Sequence, residues 1–332
     1  MHPGKVMSTS CSPPEVRAGG PRIALVGTPA DLAALAPLRS AYAEAGITEA
    51  LLAVAAPPAR SELVELAGGA DAVLLVYPRR RSARTVVDGP TIGAADGRRV
   101  PIGIVPALGG GALERFATTA AGLHRRGGYE QSVALLAQRS RRYAHLAGRI
   151  RALLLPQVSA DSVLWWPAEA IVRDDLVAGL GHGLAVALYV GHGRPNGWVG
   201  YGGVRAHHLA AAPAACGLVL SLACHTLSRR RTGLSFTEAL VMQGSAAAAL
   251  GSTTSTQHVE NARWSLRLVS ALAGGCTSAG DLLAAAEPDS DVSRHYRLIG
   301  DPLAPLVDAP TARIAARALT DDVVFHPQRE AS

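Results

Sequence analysis

Short apolar runs of strand length alternate with longer segments of helical periodicity along most of this chain. Strands are predicted at Pro21–Thr28, Ala50–Val54, Asp71–Tyr77, Ile102–Val105, Ser132–Ala137, Ser162–Trp166, Leu184–Val190, LVLSLACHT at 218–226, and Ala246–Leu250. Between them, apolar spacing predicts helices over 30–45, Ser61–Leu66, Gly111–Leu123, Arg142–Leu155, Val172–Leu180, Phe236–Gln243, Glu260–Leu272 and Ser278–Ala286. Strands buried on both faces read as unbroken apolar runs, and their alternation with helices is the pattern of a mostly parallel sheet covered on both sides. The segment from Pro78 to Arg99, rich in Gly, Pro, Asp and Arg, predicts a long exposed loop and a place for processing or partner contact. No internal repeat and no glycine-rich phosphate loop interrupts the alternation.

The composition narrows the function classes. At 332 residues the chain can hold one large or two smaller domains with a full core. Hydrophobic residues make up 48% of it, yet no run approaches the ~18 uninterrupted apolar residues of a membrane span. The first twenty residues, MHPGKVMSTSCSPPEVRAGG, lack the apolar core of a secretory signal and predict a disordered tail. Cys11, Cys216, Cys224 and Cys276 show no paired spacing, which suits reduced thiols in a cytoplasmic protein. The net charge of +6 is carried by arginine, because Lys5 is the only lysine. Arginines cluster at 79–81, 139–142 (interrupted by Ser140) and 229–231, but aromatics are only 4% and none interleave the clusters. Nucleic-acid binding needs stacking residues among the charges, so solvated loop charge is expected instead.

Two of the predicted strands end in residues with chemistry. The run in LYVGHGRPNGW at 188–198 stops at His192, and LVLSLACHT reaches Cys224. In parallel sheets, functional groups gather beyond the carboxyl ends of the strands, so an imidazole and a thiol are expected at one sheet edge. That pair is sufficient for nucleophilic catalysis by cysteine. Gly191 and Gly193 flank His192, and the Gly193 N–H and the Cys224 N–H are candidate donors to an oxyanion. A zinc site from His182, His192, Cys224 and His225 matches no closed zinc spacing, so neither a metal nor a cofactor is expected. His182 reads as a turn histidine, and His207 and His208 as residues of a surface helix. His225 is expected to point away from Cys224 if the strand continues. Asp301 reads as a turn cap and Glu238 as structural.

These residues carry a family resemblance. RDDLVAGLGHGLAVALYVGHGRPNGW at 173–198 resembles the caspase-like cysteine peptidases, and within them the gingipain-type group. LVLSLACHT is similar to the strand ending in that group's catalytic cysteine. FTEALVMQGSAAAALGSTTST at 236–256 and YRLIGDPLAPL at 296–306 resemble two further signatures, and DGRRVPIGIVPA at 96–107 a weaker one. The resemblance covers about 21–308 and implies a caspase-like three-layer α/β/α sandwich with a mostly parallel central sheet. It implies a disordered tail at 1–20, an N-terminal α/β subdomain at 21–130, a catalytic subdomain at 131–308 and a C-terminal tail at 309–332. It also implies His192 as catalytic histidine, Cys224 as nucleophile, and Gly193 and Cys224 as oxyanion hole.

The group carries an acid in the loop after the strand equivalent to Ser132–Ala137, but here that loop reads Gln138-Arg139-Ser140-Arg141-Arg142-Tyr143. Preference for a basic side chain is therefore not carried over. Arg139 and Arg141 become candidate contacts for a substrate carboxylate, with the solvated start of a helix as the plainer alternative. His258 stands where the group has an aromatic pocket cap, and Trp198 either walls the cleft or packs in the core. The activity implied is that of a cysteine peptidase acting on a protein or peptide. Two alternatives stay open: a cysteine acyltransferase, amidase or peptide ligase using the same acyl-enzyme, and a non-catalytic module or one activated by a partner.

Overall fold

The structure, a computed structural model, describes residues 20–128, 130–210, 212–286, 292–310 and 312. Cys11 and nearly all of the expected N-terminal tail lie outside these residues. In chain order the strands are β1 (Arg22–Gly27), β2 (Thr48–Ala53), β3 (Ala72–Pro78), β4 (Thr91–Gly93), β5 (Arg99–Ala107), β6 (Val133–Ala137) and β7 (Val163–Pro167). They continue with β8 (Val186–Val190), β9 (Gly193–Arg194), β10 (Gly197–Trp198), β11 (Val204–Arg205), β12 (Cys216–Leu222), β13 (Ala246–Ser252) and β14 (Tyr296–Gly300).

Among the described residues, eleven strands form one sheet in the order β2-β1-β3-β5-β14-β13-β12-β8-β6-β7, with β4 attached to β5. Apart from β4 and β14, the strands pair in parallel, as their apolar runs predict. β14 runs antiparallel to β13. The fold is thus mixed α/β, with a mostly parallel sheet flanked by helices. β6, β8, β12 and β13 are buried at every position. The expected boundary near residue 130 falls between helix Ala112–His124 and β6, while the contact of β5 with β14 joins both halves into one sheet.

Two buried polar clusters tie distant segments together. Asp301 accepts from the Tyr42 hydroxyl at 2.7 Å and the Leu303 N–H at 2.8 Å, and its other oxygen lies 2.7 Å from His124 Nε2. It caps its turn, as expected, and also binds two helices. Glu238 is fully buried. It accepts from Arg229 Nη2 at 2.6 Å, the Tyr77 hydroxyl at 2.5 Å and the Ser235 N–H at 2.8 Å. Arg229 therefore departs from the expected solvated charge: its side chain is 16% exposed, whereas Arg230 and Arg231 face solvent.

The segment Pro78–Arg99 is also more ordered than its composition suggests. It holds a short helical turn at Ala83–Thr85 and β4, and it buries Ala83, Val87 and Ile92. Its open stretches are Pro78–Ser82 and Ala95–Gly97.

Candidate active site

β8 and β12 are neighbours in parallel register, with Val190 opposite Leu222. His192 and Cys224 each lie two residues past that last pair, so the two chains deliver imidazole and thiol to the same edge at the same height. Both residues line one cavity of about 180 Å³, together with Arg142, Tyr143, Thr256, His258 and Asn261.

The chain turns sharply after each strand. The His192 N–H donates to Gln138 Oε1 at 2.6 Å, and its carbonyl accepts from the Tyr189 hydroxyl at 3.1 Å and the Val199 N–H at 3.0 Å. The small β9-β10-β11 sheet follows. A side chain at Gly191 would collide with the Tyr189 ring and with Gln138 Cβ at 2.8 Å. One at Gly193 would strike the Cys224 carbonyl, Thr226 Cγ2 at 2.7 Å and Ala223 Cβ at 2.9 Å. The glycines on either side of His192 therefore let the loops carrying His192 and Cys224 press together.

On the other loop, β12 ends at Leu222, so strand alternation no longer governs His225. His225 instead adopts φ 60, the left-handed region that non-glycine residues seldom occupy. Its ring lies 2.9 Å from Ser255 Oγ and its N–H donates to the Thr254 carbonyl at 3.1 Å, which hold the turn. Cys224 Sγ accepts from the Thr256 N–H at 3.3 Å, and Thr256 Oγ1 accepts from Asn261 Nδ2 at 2.8 Å. Tyr296 donates to Asn261 Oδ1 at 2.8 Å, so β14 braces the thiol through a chain of bonds. Among the described residues, no acceptor takes the Cys224 N–H. Cys224 is partly exposed, while Cys216 and Cys276 are buried, and burial pushes the Cys216 thiol up to about 12.

The remaining expected residues divide. His258 does line the cavity, with its ring edge-on to Tyr143 at 5.3 Å, and Tyr143 is likewise edge-on to His192 at 5.5 Å. Burial, reinforced by Arg142 and His192, pushes the His258 imidazole below its ordinary range. Arg139 borders a different cavity, of about 460 Å³, beside Gln138, Arg173 and Tyr201, and Arg141 is exposed and borders neither. The arginine at the reactive cavity is Arg142. Its Nη2 lies 3.0 Å from His192 Nε2 and 3.2 Å from the Tyr143 hydroxyl.

Trp198 is fully buried, stacks on Tyr189 at 4.5 Å and donates to Ser221 Oγ at 2.8 Å. It supports the His192 loop from the core and does not wall the cleft. His182 is half-buried and bridges to Ala214, and His207 and His208 belong to a short helical turn at Ala206–Leu209. Tyr143, Thr256 and Asn261 carry no chemical signal of their own in the sequence, although the first two lie inside the stretches at 138–143 and 236–256 that bear on the family resemblance.

The family model of peptidase family C25 matches residues 137–307, which begins at the end of β6 and takes in both reactive loops. The chain belongs to peptidase family C25. Among solved structures, this C25 chain is similar to the Arg-specific cysteine proteinase gingipain R (RgpB). The TM-score is 0.68 at 13% identity, over 89% of this chain and 80% of that one. The complex of Porphyromonas gingivalis RgpB pro- and mature domains matches at TM-score 0.65 and 14% identity, over 86% and 79%. The Saccharomyces cerevisiae separase–securin complex matches at TM-score 0.50 and 13% identity, over 70% of this chain but 16% of that one. A search of curated proteins by sequence finds no match. At such identities the structural likeness establishes the caspase-like fold and nothing finer. Among the described residues, no helix is long and apolar enough to cross a membrane.

Proposed function

We propose that this C25 chain is a cysteine peptidase that cleaves a protein or peptide through a thio-acyl enzyme on Cys224. The observation that carries the reading is the matched placement of His192 and Cys224 beyond the paired residues Val190 and Leu222, on one cavity. In the first step the Cys224 thiol yields its proton to His192 Nε2, the sulfur attacks the scissile carbonyl carbon, and the negative charge moves to the carbonyl oxygen. The N–H groups of Gly193 and Cys224 receive that charge, a role for which the absence of a protein acceptor at Cys224 suits the second donor. The oxyanion then collapses, the C–N bond breaks, and His192 Nε2 supplies the proton that the departing amine needs. Water, deprotonated by the same imidazole, hydrolyses the thioester and returns the thiol. Gln138, Tyr189 and Trp198 hold the imidazole's loop, and Thr256 and Asn261 hold the sulfur.

The test is covalent trapping with peptidyl acyloxymethyl ketones that differ in their P1 residue. The expected result is one adduct, mapped to Cys224, with Cys11, Cys216 and Cys276 unmodified. His192→Ala should slow trapping by at least about a hundredfold, the size of a lost acid–base contribution. Equal modification of the four cysteines, or trapping indifferent to His192, would overturn the proposal.

A further inference from the structure

The cavity beside Cys224 is built for negative charge. Its lining includes the Arg142 guanidinium, the imidazoles of His192 and His258, and the Asn261 amide, but no carboxylate. Two helices open onto it at their N-terminal ends: Arg141–Leu154, which contributes Arg142 and Tyr143, and His258–Ala273, which contributes His258 and Asn261. Neither helix has a side-chain cap on its first turn, since the Ser140 and Gln257 side chains accept no bond there. Uncapped N-terminal N–H groups carry partial positive charge and favour an anion. Glu260, the one acid in the first turn of the second helix, does not line the cavity. At about 180 Å³ the space is below the ~300 Å³ of small-molecule pockets and suits one side chain.

Arg142 also engages the histidine itself. A guanidinium has donors only, so its 3.0 Å contact with His192 Nε2 engages that nitrogen's lone pair. The same side chain lies against Tyr143, its Cζ 4.7 Å from the ring centre, and is exposed on its outer side. A carboxylate entering the cavity is a stronger acceptor for Nη2 than a neutral imidazole.

Resting on the peptidase reading above, we infer that Arg142 is a specificity residue that selects an acidic side chain, aspartate or glutamate, at the position preceding the scissile bond. Binding of that carboxylate draws the guanidinium from His192 Nε2 and frees the imidazole for its proton transfers. Recognition of the acidic residue and readiness of the histidine are then one event.

The experiment uses tripeptide aldehydes ending in Asp, in its neutral isostere Asn, and in Arg, with binding measured by calorimetry and adducts mapped by mass spectrometry. Each aldehyde adds reversibly to Cys224: the S–C bond forms, the carbonyl becomes a hydroxyl, and the thiol proton ends on that oxygen. The aspartyl aldehyde is expected to bind about ten- to a hundredfold more tightly than the asparaginyl one, the range of a charged hydrogen bond. Arg142→Gln should bring that ratio close to one. Adducts at Cys224 with no preference for Asp, or a preference that survives Arg142→Gln, would overturn the inference and leave the peptidase reading standing. A preference found only for a peptide with a free α-carboxylate would overturn it as well. Absence of any adduct at Cys224 would remove the peptidase reading, and the inference with it.

Discussion

Gly193→Ala is expected to abolish most activity while leaving the fold intact. The added methyl group would meet the Cys224 carbonyl, Thr226 Cγ2 at 2.7 Å and Ala223 Cβ at 2.9 Å, all on the loop that carries Cys224, the proposed nucleophile. None of these atoms is the end of a flexible side chain, so the two loops must part. Displacing a reacting group by about 1 Å costs on the order of a hundredfold, and disturbing an oxyanion donor costs about as much again. We expect kcat/KM to fall by at least about two orders of magnitude with an unchanged circular dichroism spectrum. Full activity in Gly193→Ala would mean that the closeness of the loops is irrelevant to catalysis.

Glu238→Ala is expected to be the most destabilising single change we can name. Its carboxylate is fully buried, and it is the partner of Arg229, whose side chain is 16% exposed. Removing it strands the guanidinium, frees the Tyr77 hydroxyl and takes away the carboxylate half of the capping box of helix Phe236–Met242, to which the Ser235 N–H and hydroxyl donate. Breaking a buried pair from one side costs about 3–5 kcal/mol, because the remaining charge keeps its desolvation penalty. Urea unfolding of the two proteins checks this as a lowered midpoint at similar slope. A loss under about 1 kcal/mol would mean that water reaches Arg229 and that the cluster is a surface pair. Because Arg229 is in the chain leaving Cys224, reduced activity should accompany the lost stability.

The sheet and the reactive edge were legible because both depend on uninterrupted apolar runs. β8 and β12 have no polar residue that would mask them apart from Tyr189 and Ser221, and each run stops just short of its reactive residue. β14 lies in the motif YRLIGDPLAPL but does not read as an apolar strand. Its run is broken by Arg297, which is 3% exposed and whose Nη1 donates to the Arg294 carbonyl at 2.5 Å and the Tyr296 carbonyl at 2.8 Å, while its buried Nε meets no partner among the described residues. Burial pushes the Arg297 guanidinium down to about 10, so the charge is held at a cost that no pattern rule anticipates. Which arginine faces the cavity turned on a single residue of helix phase. Arg141 and Arg142 are consecutive in the helix and so point about 100° apart, and it is Arg142 that meets His192. The supports at Thr256 and Asn261 are contacts between distant segments, which spacing along the chain does not encode.

The most direct test is digestion of a diverse peptide library by the wild-type protein and by Cys224→Ala, with products read by mass spectrometry. Cleavage present in the wild type and absent from the variant is the predicted result. Cleavage that persists in Cys224→Ala, or a wild-type protein that cuts nothing while Cys224 stays inert to the peptidyl ketones, would contradict the account.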